Sequence, residues 1–182
     1  MYLQLEDQKK YYYFHAFLLS MKDRVFHKKK VFDAYVKWSG LAPHDAALAL
    51  RPNMNPKVSP ANFPCERDPK TGKYRISVGM TWSKKVFGIS RAVIGHYESA
   101  KLKAFHSANS GDKVKLAAWE EYLEATIMHE MVHWGRKVKG IEAPTYDEME
   151  NNAEAFEKEA YGKVTASPEP LCFQPETYKP AE

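Results

Sequence analysis

Between Tyr11 and Trp38 the apolar positions fall at Phe14, Phe17, Leu18, Met21, Val25, Phe32, Tyr35 and Val36. That spacing fits the 3.6-residue period of a helix with one buried face. His27-Lys28-Lys29-Lys30 interrupts the pattern, so the stretch is one helix or two, ended by Ser39-Gly40. Pro43 opens a short helix that runs on to Leu50. Periodicity then stops. Five prolines between residues 51 and 73, with Asn53, Asn55 and Asn62 among them, predict a loop without regular structure. Tyr74 to Val78 alternates and reads as a strand, as does Val86 to Ser90, with Lys84-Lys85 in a turn between them. A helix is predicted over Ala92 to Phe105, then a turn at Ser107 to Gly111, with Asp112 capping the next helix.

That next helix, Lys113 to Trp134, carries the strongest signal. Glu120, Glu121 and Glu124 mark its first half. Its second half is apolar on nearly every side apart from His129, Glu130 and His133, the mark of a buried helix, with Gly135 placed as its stop. Asp147 to Tyr161 reads as a further helix closed by Gly162, and four prolines after Ser167 predict an extended tail. No internal repeat is present. The pattern predicts an α+β fold, mostly α, with an active-site helix and a small hairpin or sheet. It is one domain over residues 1–182: a helical N-terminal region over 1–50, a Pro-rich loop over 51–73, a catalytic region over 74–162 and an extended tail over 163–182.

Composition narrows the partners. With 182 residues and 44% apolar content the chain can bury one core. The formal charge is only +4, so lysine runs such as Lys28-Lys29-Lys30 read as solvated surface, and nucleic acid is not an expected partner. Cys65 and Cys172 form no C-x-x-C pair, which argues against a cysteine zinc site. Two free thiols are favoured over a disulfide tying the Pro-rich region to the tail. The N-terminus lacks the basic start of a signal peptide, and no run is long enough for a membrane span. Work outside the cell of origin would need another machine or a fused domain as carrier.

The candidate chemistry is His129-Glu130-Met131-Val132-His133. Histidines four apart on a helix share a face and can ligate one ion, here expected to be a single Zn2+. Glu130 is placed to act as general base on a metal-activated water that attacks a peptide carbonyl. Three polar groups in so apolar a helix would be costly to bury without such a purpose. A catalytic zinc needs a third protein ligand. The variant with a third histidine is excluded, because Arg136 and Lys139 stand where its Gly and His belong. An acid from the following helix remains: Asp147, Glu148, Glu150, Glu154, Glu157 or Glu159. Ala153, Phe156 and Ala160 form a core-facing stripe that Glu157 flanks, so Glu157 is favoured, Glu154 is the alternative ligand and Glu159 is read as solvated. Glu154 also has an ordinary partner in Lys158, four residues on. The group that steadies the oxyanion is Tyr161, Tyr146, His96 or His106. Either predicted strand could lie above the helix and pair with an extended substrate.

Ala125 to Gly135, together with Ala155 to Gly162 and the lead-in Phe87 to Glu98, resembles the zincin-like metallopeptidase toxin domains of bacterial effectors. These include C-terminal extensions of VgrG-type spike proteins of type VI secretion. The likeness spans about residues 86–162. It implies a zincin-like fold, a zinc site with His129 and His133 as ligands, and Glu130 as base. It carries the family's Phe-Glu-x-x-x-Tyr-Gly onto Phe156, Glu157, Tyr161 and Gly162. Asn151-Asn152-Ala153 replaces the Glu-Glu-Gly expected just before that pattern, which leaves the third ligand to Glu157 or Glu154. It further implies a secreted antibacterial or anti-host toxin acting in a target cell, including its periplasm. Its partners would be a protein or peptide substrate, a cognate immunity protein and a secretion spike. Two alternatives stand beside it: an intracellular Spartan-like protease acting on DNA-bound proteins, and a non-catalytic zincin scaffold used for binding.

Overall fold

The structure is a computed structural model that describes residues 1–67, 74–141 and 143–172. In chain order it holds α1 (Leu5–Lys10), α2 (Tyr12–His27), α3 (Lys29–Ser39), α4 (Pro43–Ala49), β1 (Lys57–Ala61), β2 (Cys65–Arg67), β3 (Tyr74–Ile76), β4 (Gly79–Thr81), β5 (Val86–Ser90), α5 (Arg91–His106), α6 (Ser110–Lys139) and α7 (Tyr146–Tyr161). It is an α+β fold, mostly α. No helix among the described residues is long and apolar enough to cross a membrane.

Helix α6 is the axis of the molecule. From Tyr122 to Gly135 every residue is buried except His129, which is half-buried. Helices α3, α5 and α7 and strands β4 and β5 pack around it, which accounts for its apolar surface on all sides. The interrupted N-terminal pattern resolves into two helices broken at Lys28, and Gly40 ends α3 in the left-handed conformation. Glu98 of α5 supplies a cap that α2 lacks in its own sequence, accepting the Phe14 backbone N–H at 2.7 Å.

Gly135 does not end α6; the helix runs on to Lys139 and stops at Gly140, whose φ is +69°. Gly135 serves packing instead. A Cβ there would lie 2.6 Å from Ser39 Cβ, so its hydrogen lets α3 approach. The cap of α6 is Asn109, accepting from Gly111 N at 2.9 Å, and not Asp112.

The Pro-rich segment also departs from expectation. Within 51–67 it forms β1 and β2, with Pro60 inside β1. β1 lies at the edge of the sheet β1-β5-β4 and pairs parallel with β5, and an edge strand tolerates Pro60. β4, which no pattern announced, pairs antiparallel with β5 as the other edge. β2 and β3 form a separate two-stranded ribbon. Cys65 and Cys172 are not free thiols but a disulfide with Cα atoms 5.9 Å apart, fastening the tail to that ribbon. The tail beyond residue 172 lies outside the described residues.

Candidate metal centre

Two successive turns of α6 present His129 and His133 on one face, with their Nε2 atoms 3.0 Å apart. Across from them, α7 brings up Glu150. Its Oε2 is 3.3 Å from His129 Nε2 and its Oε1 is 3.4 Å from His133 Nε2. Two imidazole nitrogens and a carboxylate thus converge on one point. Such closeness needs a positive charge among them, either a proton or a metal cation. Two nitrogens and an oxygen, with space on a cleft beside them, are a donor set that fits one divalent ion with a position left open. Donor atoms of His129, Glu130 and His133 also lie within 4.8 Å of one another.

Glu157, favoured by the sequence as third ligand, is turned to the far side of His129. Its Oε1 accepts from His129 Nδ1–H at 2.7 Å, while its Oε2 accepts from both the backbone N–H and the hydroxyl of Thr165, each at 2.7 Å. This is the arrangement that fixes a histidine's ring and tautomer and points Nε2 at a metal. Glu154 accepts from exposed Lys158 at 3.4 Å. Glu159, read as solvated, accepts from Lys37 and from the Trp38 indole, tying α7 to α3.

Glu130 lies beside the histidines at the edge of the same face, under strand β4. The Thr81 hydroxyl donates to its Oε2 at 2.8 Å. Gly79 passes so close that a Cβ there would lie 2.5 Å from Glu130 Oε1. Burial pushes the Glu130 carboxyl up, against the opposing pull of His129, His133 and the Thr81 hydrogen bond. At His129, burial favours the neutral ring, but the Glu150 and Glu157 carboxylates outweigh it and raise the group to about 10. Burial also acts to raise Glu150, and the two histidines overcome it, holding that carboxyl well below the usual range. His133 Nδ1 is buried without a hydrogen-bond partner among the described residues.

The centre opens on a cleft with two lobes. One, of about 450 Å³, is lined by Gly79 to Thr81, Glu130, His133, Tyr146 and Glu150 and by residues beyond the second histidine. The other, of about 230 Å³, runs past Tyr122, Thr126, His129, Glu157 and Thr165. Tyr146 borders both lobes. Tyr161 borders neither, and its hydroxyl donates to Glu124 Oε1 at 3.3 Å. There it joins Arg24 and Lys28 in satisfying a fully buried carboxylate. His96 stacks on Trp119, and His106 sits exposed at the end of α5.

Sequence reasoning counted Glu150 among six candidate acids without favouring it, and passed over Thr81, Gly79 and Thr165. Only Glu150 left a trace: it lies two helical turns before Glu157 and therefore on the same face of α7. The other three belong to a short strand and a tail without any pattern of their own.

A helix that can hold a metal, set under an edge strand and backed by an acidic helix, is the arrangement expected of a metallopeptidase. The family model for metallopeptidase toxin 3 matches residues 7–162, and the chain belongs to that family. No curated protein and no solved structure matches it.

Proposed function

We propose that the chain is a zinc-dependent peptidase of zincin-like build that acts as a toxin effector, with His129, His133 and Glu150 as the metal ligands and Glu130 as general base. The observation that carries this reading is the placement of the Glu150 carboxylate within 3.4 Å of both histidine Nε2 atoms. A zinc ion bound there supplies a Lewis acid that polarises the scissile carbonyl and makes water acidic near neutral pH. Glu157 and Thr165 hold the His129 ring in its orientation. Glu130, pushed up by burial, is suited to take the proton of the attacking water and pass it to the leaving amine. The Thr81 hydroxyl fixes that carboxylate. The outer edge of β4 offers backbone groups to an extended peptide, laid antiparallel above α6. Tyr146, at the junction of the two lobes, takes the oxyanion role in place of Tyr161.

Membership of a toxin family supports a protein substrate and delivery into target cells. Carriage on a type VI spike, action in the periplasm and a cognate immunity protein complete the proposal.

Glu130→Gln tests the chemistry. The variant is expected to fold and keep one zinc per chain by elemental analysis, while peptide cleavage falls by a factor on the order of 10²–10⁴. Cleavage at the wild-type rate would remove Glu130 from the mechanism.

A further inference from the structure

The larger lobe of the cleft carries a charge pattern that peptide hydrolysis alone does not require. Beyond His133 it is lined by Lys84, Arg136 and Lys137. His129, Glu130, His133, Arg136 and Lys137 fall within about a third of the circumference of α6, so the face that holds the metal continues directly into two cations. Lys84 reaches the same lobe from the turn before β5.

None of the three cations forms an ion pair with a carboxylate among the described residues. Arg136 donates only to the Trp38 carbonyl, at 3.5 Å, and Lys137 only to the Trp82 carbonyl, at 3.1 Å. Among the described residues the acids lining the lobe are Glu130 and Glu150, already engaged by Thr81 and by the histidines. Among the described residues, then, the lobe holds three positive charges without a carboxylate partner. Ile141, Ala143 and Met149 supply apolar wall.

Reach fixes which portion of a substrate arrives there. Arg136 lies three residues past His133, about 4.5 Å along the helix axis. An extended peptide advances about 3.3 Å per residue. A residue that flanks the bond held at the metal thus directs its side chain into this lobe. Its methylenes meet the apolar wall and its end meets the guanidinium.

We propose that this lobe is an acid-reading subsite, with Arg136 as its specificity-determining residue, and that the substrate class is protein or peptide with a glutamate or aspartate flanking the scissile bond. Glutamate fits better than aspartate, because its longer stem spans the apolar wall. A fork of donors on Arg136 can take both carboxylate oxygens, while Lys84 and Lys137 add field at the rim. The inference rests on the peptidase reading above.

The test is cleavage of a degenerate peptide library by the zinc-loaded protein, with cut sites read by mass spectrometry. Three proteins are compared: the wild type, Arg136→Gln and Arg136→Glu, each checked for zinc content and melting temperature. Wild type is expected to cut beside Glu or Asp in excess. In paired peptides, Glu should exceed Gln at that position by roughly tenfold in kcat/KM, the scale of one charge-assisted contact. Arg136→Gln should erase the excess, and Arg136→Glu should turn it toward Lys, which a merely structural arginine would not do. Cleavage by the wild type without acid preference overturns the subsite and leaves the peptidase standing. Failure of the wild type to cut any peptide overturns both.

Discussion

Around His129 each polar atom answers to the next. Thr165 holds Glu157 through two hydrogen bonds, Glu157 holds the Nδ1 side of the ring, and Nε2 is left facing His133 and Glu150. The two glutamates are therefore expected to fail differently. Glu150→Ala should yield protein without stoichiometric metal. Glu157→Gln should keep the metal but bind it roughly 10–100-fold more weakly, as measured by chelator competition. A larger loss in Glu157→Gln than in Glu150→Ala would exchange their roles. The histidines and Glu130 could be read from the sequence because a single helix sets their spacing. The acid opposite them could not. Which turn of α7 meets the histidines depends on how two helices cross, and Glu150 and Glu157 share a face seven residues apart.

Elements were legible where they carry one period over several turns, as α2, α3, α6 and α7 do. The edge strands β1 and β4 were not. β1 contains Pro60 and β4 is three residues long, so their existence depends on β5 between them. Helix α6 shows a different limit. A glycine near an apparent end reads as a stop, yet Gly135 is continuous helix whose missing side chain admits Ser39 and Leu41. Gly135→Ala sets two effects against each other. Alanine favours helix by about 1 kcal/mol, while forcing a methyl against Ser39 Cβ costs about 1–3 kcal/mol or more. Backbone-adjacent atoms yield little, so net destabilisation is expected in urea denaturation. Equal or greater stability would show that α3 moves aside at no cost.

Across the whole molecule, the disulfide joins residues 107 apart and encloses α6, the edge strand β4 and Thr165 in one covalent loop. The two thiols could be counted in the sequence, but their meeting depends on the tail, held at Glu169 by His96 and Lys115, reaching the β2-β3 ribbon. By chain entropy, closing a loop of that size stabilises the fold by about 5 kcal/mol. Chemical denaturation with and without reductant, or of Cys65→Ser, should show a loss of unfolding free energy of that order. Coincident curves would mean that the unfolded chain is already constrained. The loop also imposes an order of events. A linear polypeptide can be drawn end-first through a narrow passage, but a ring of this size must enter as doubled strands. Any journey made in the unfolded form is therefore easiest while the thiols are reduced, and oxidation on the far side would seal the protein into the shape that works.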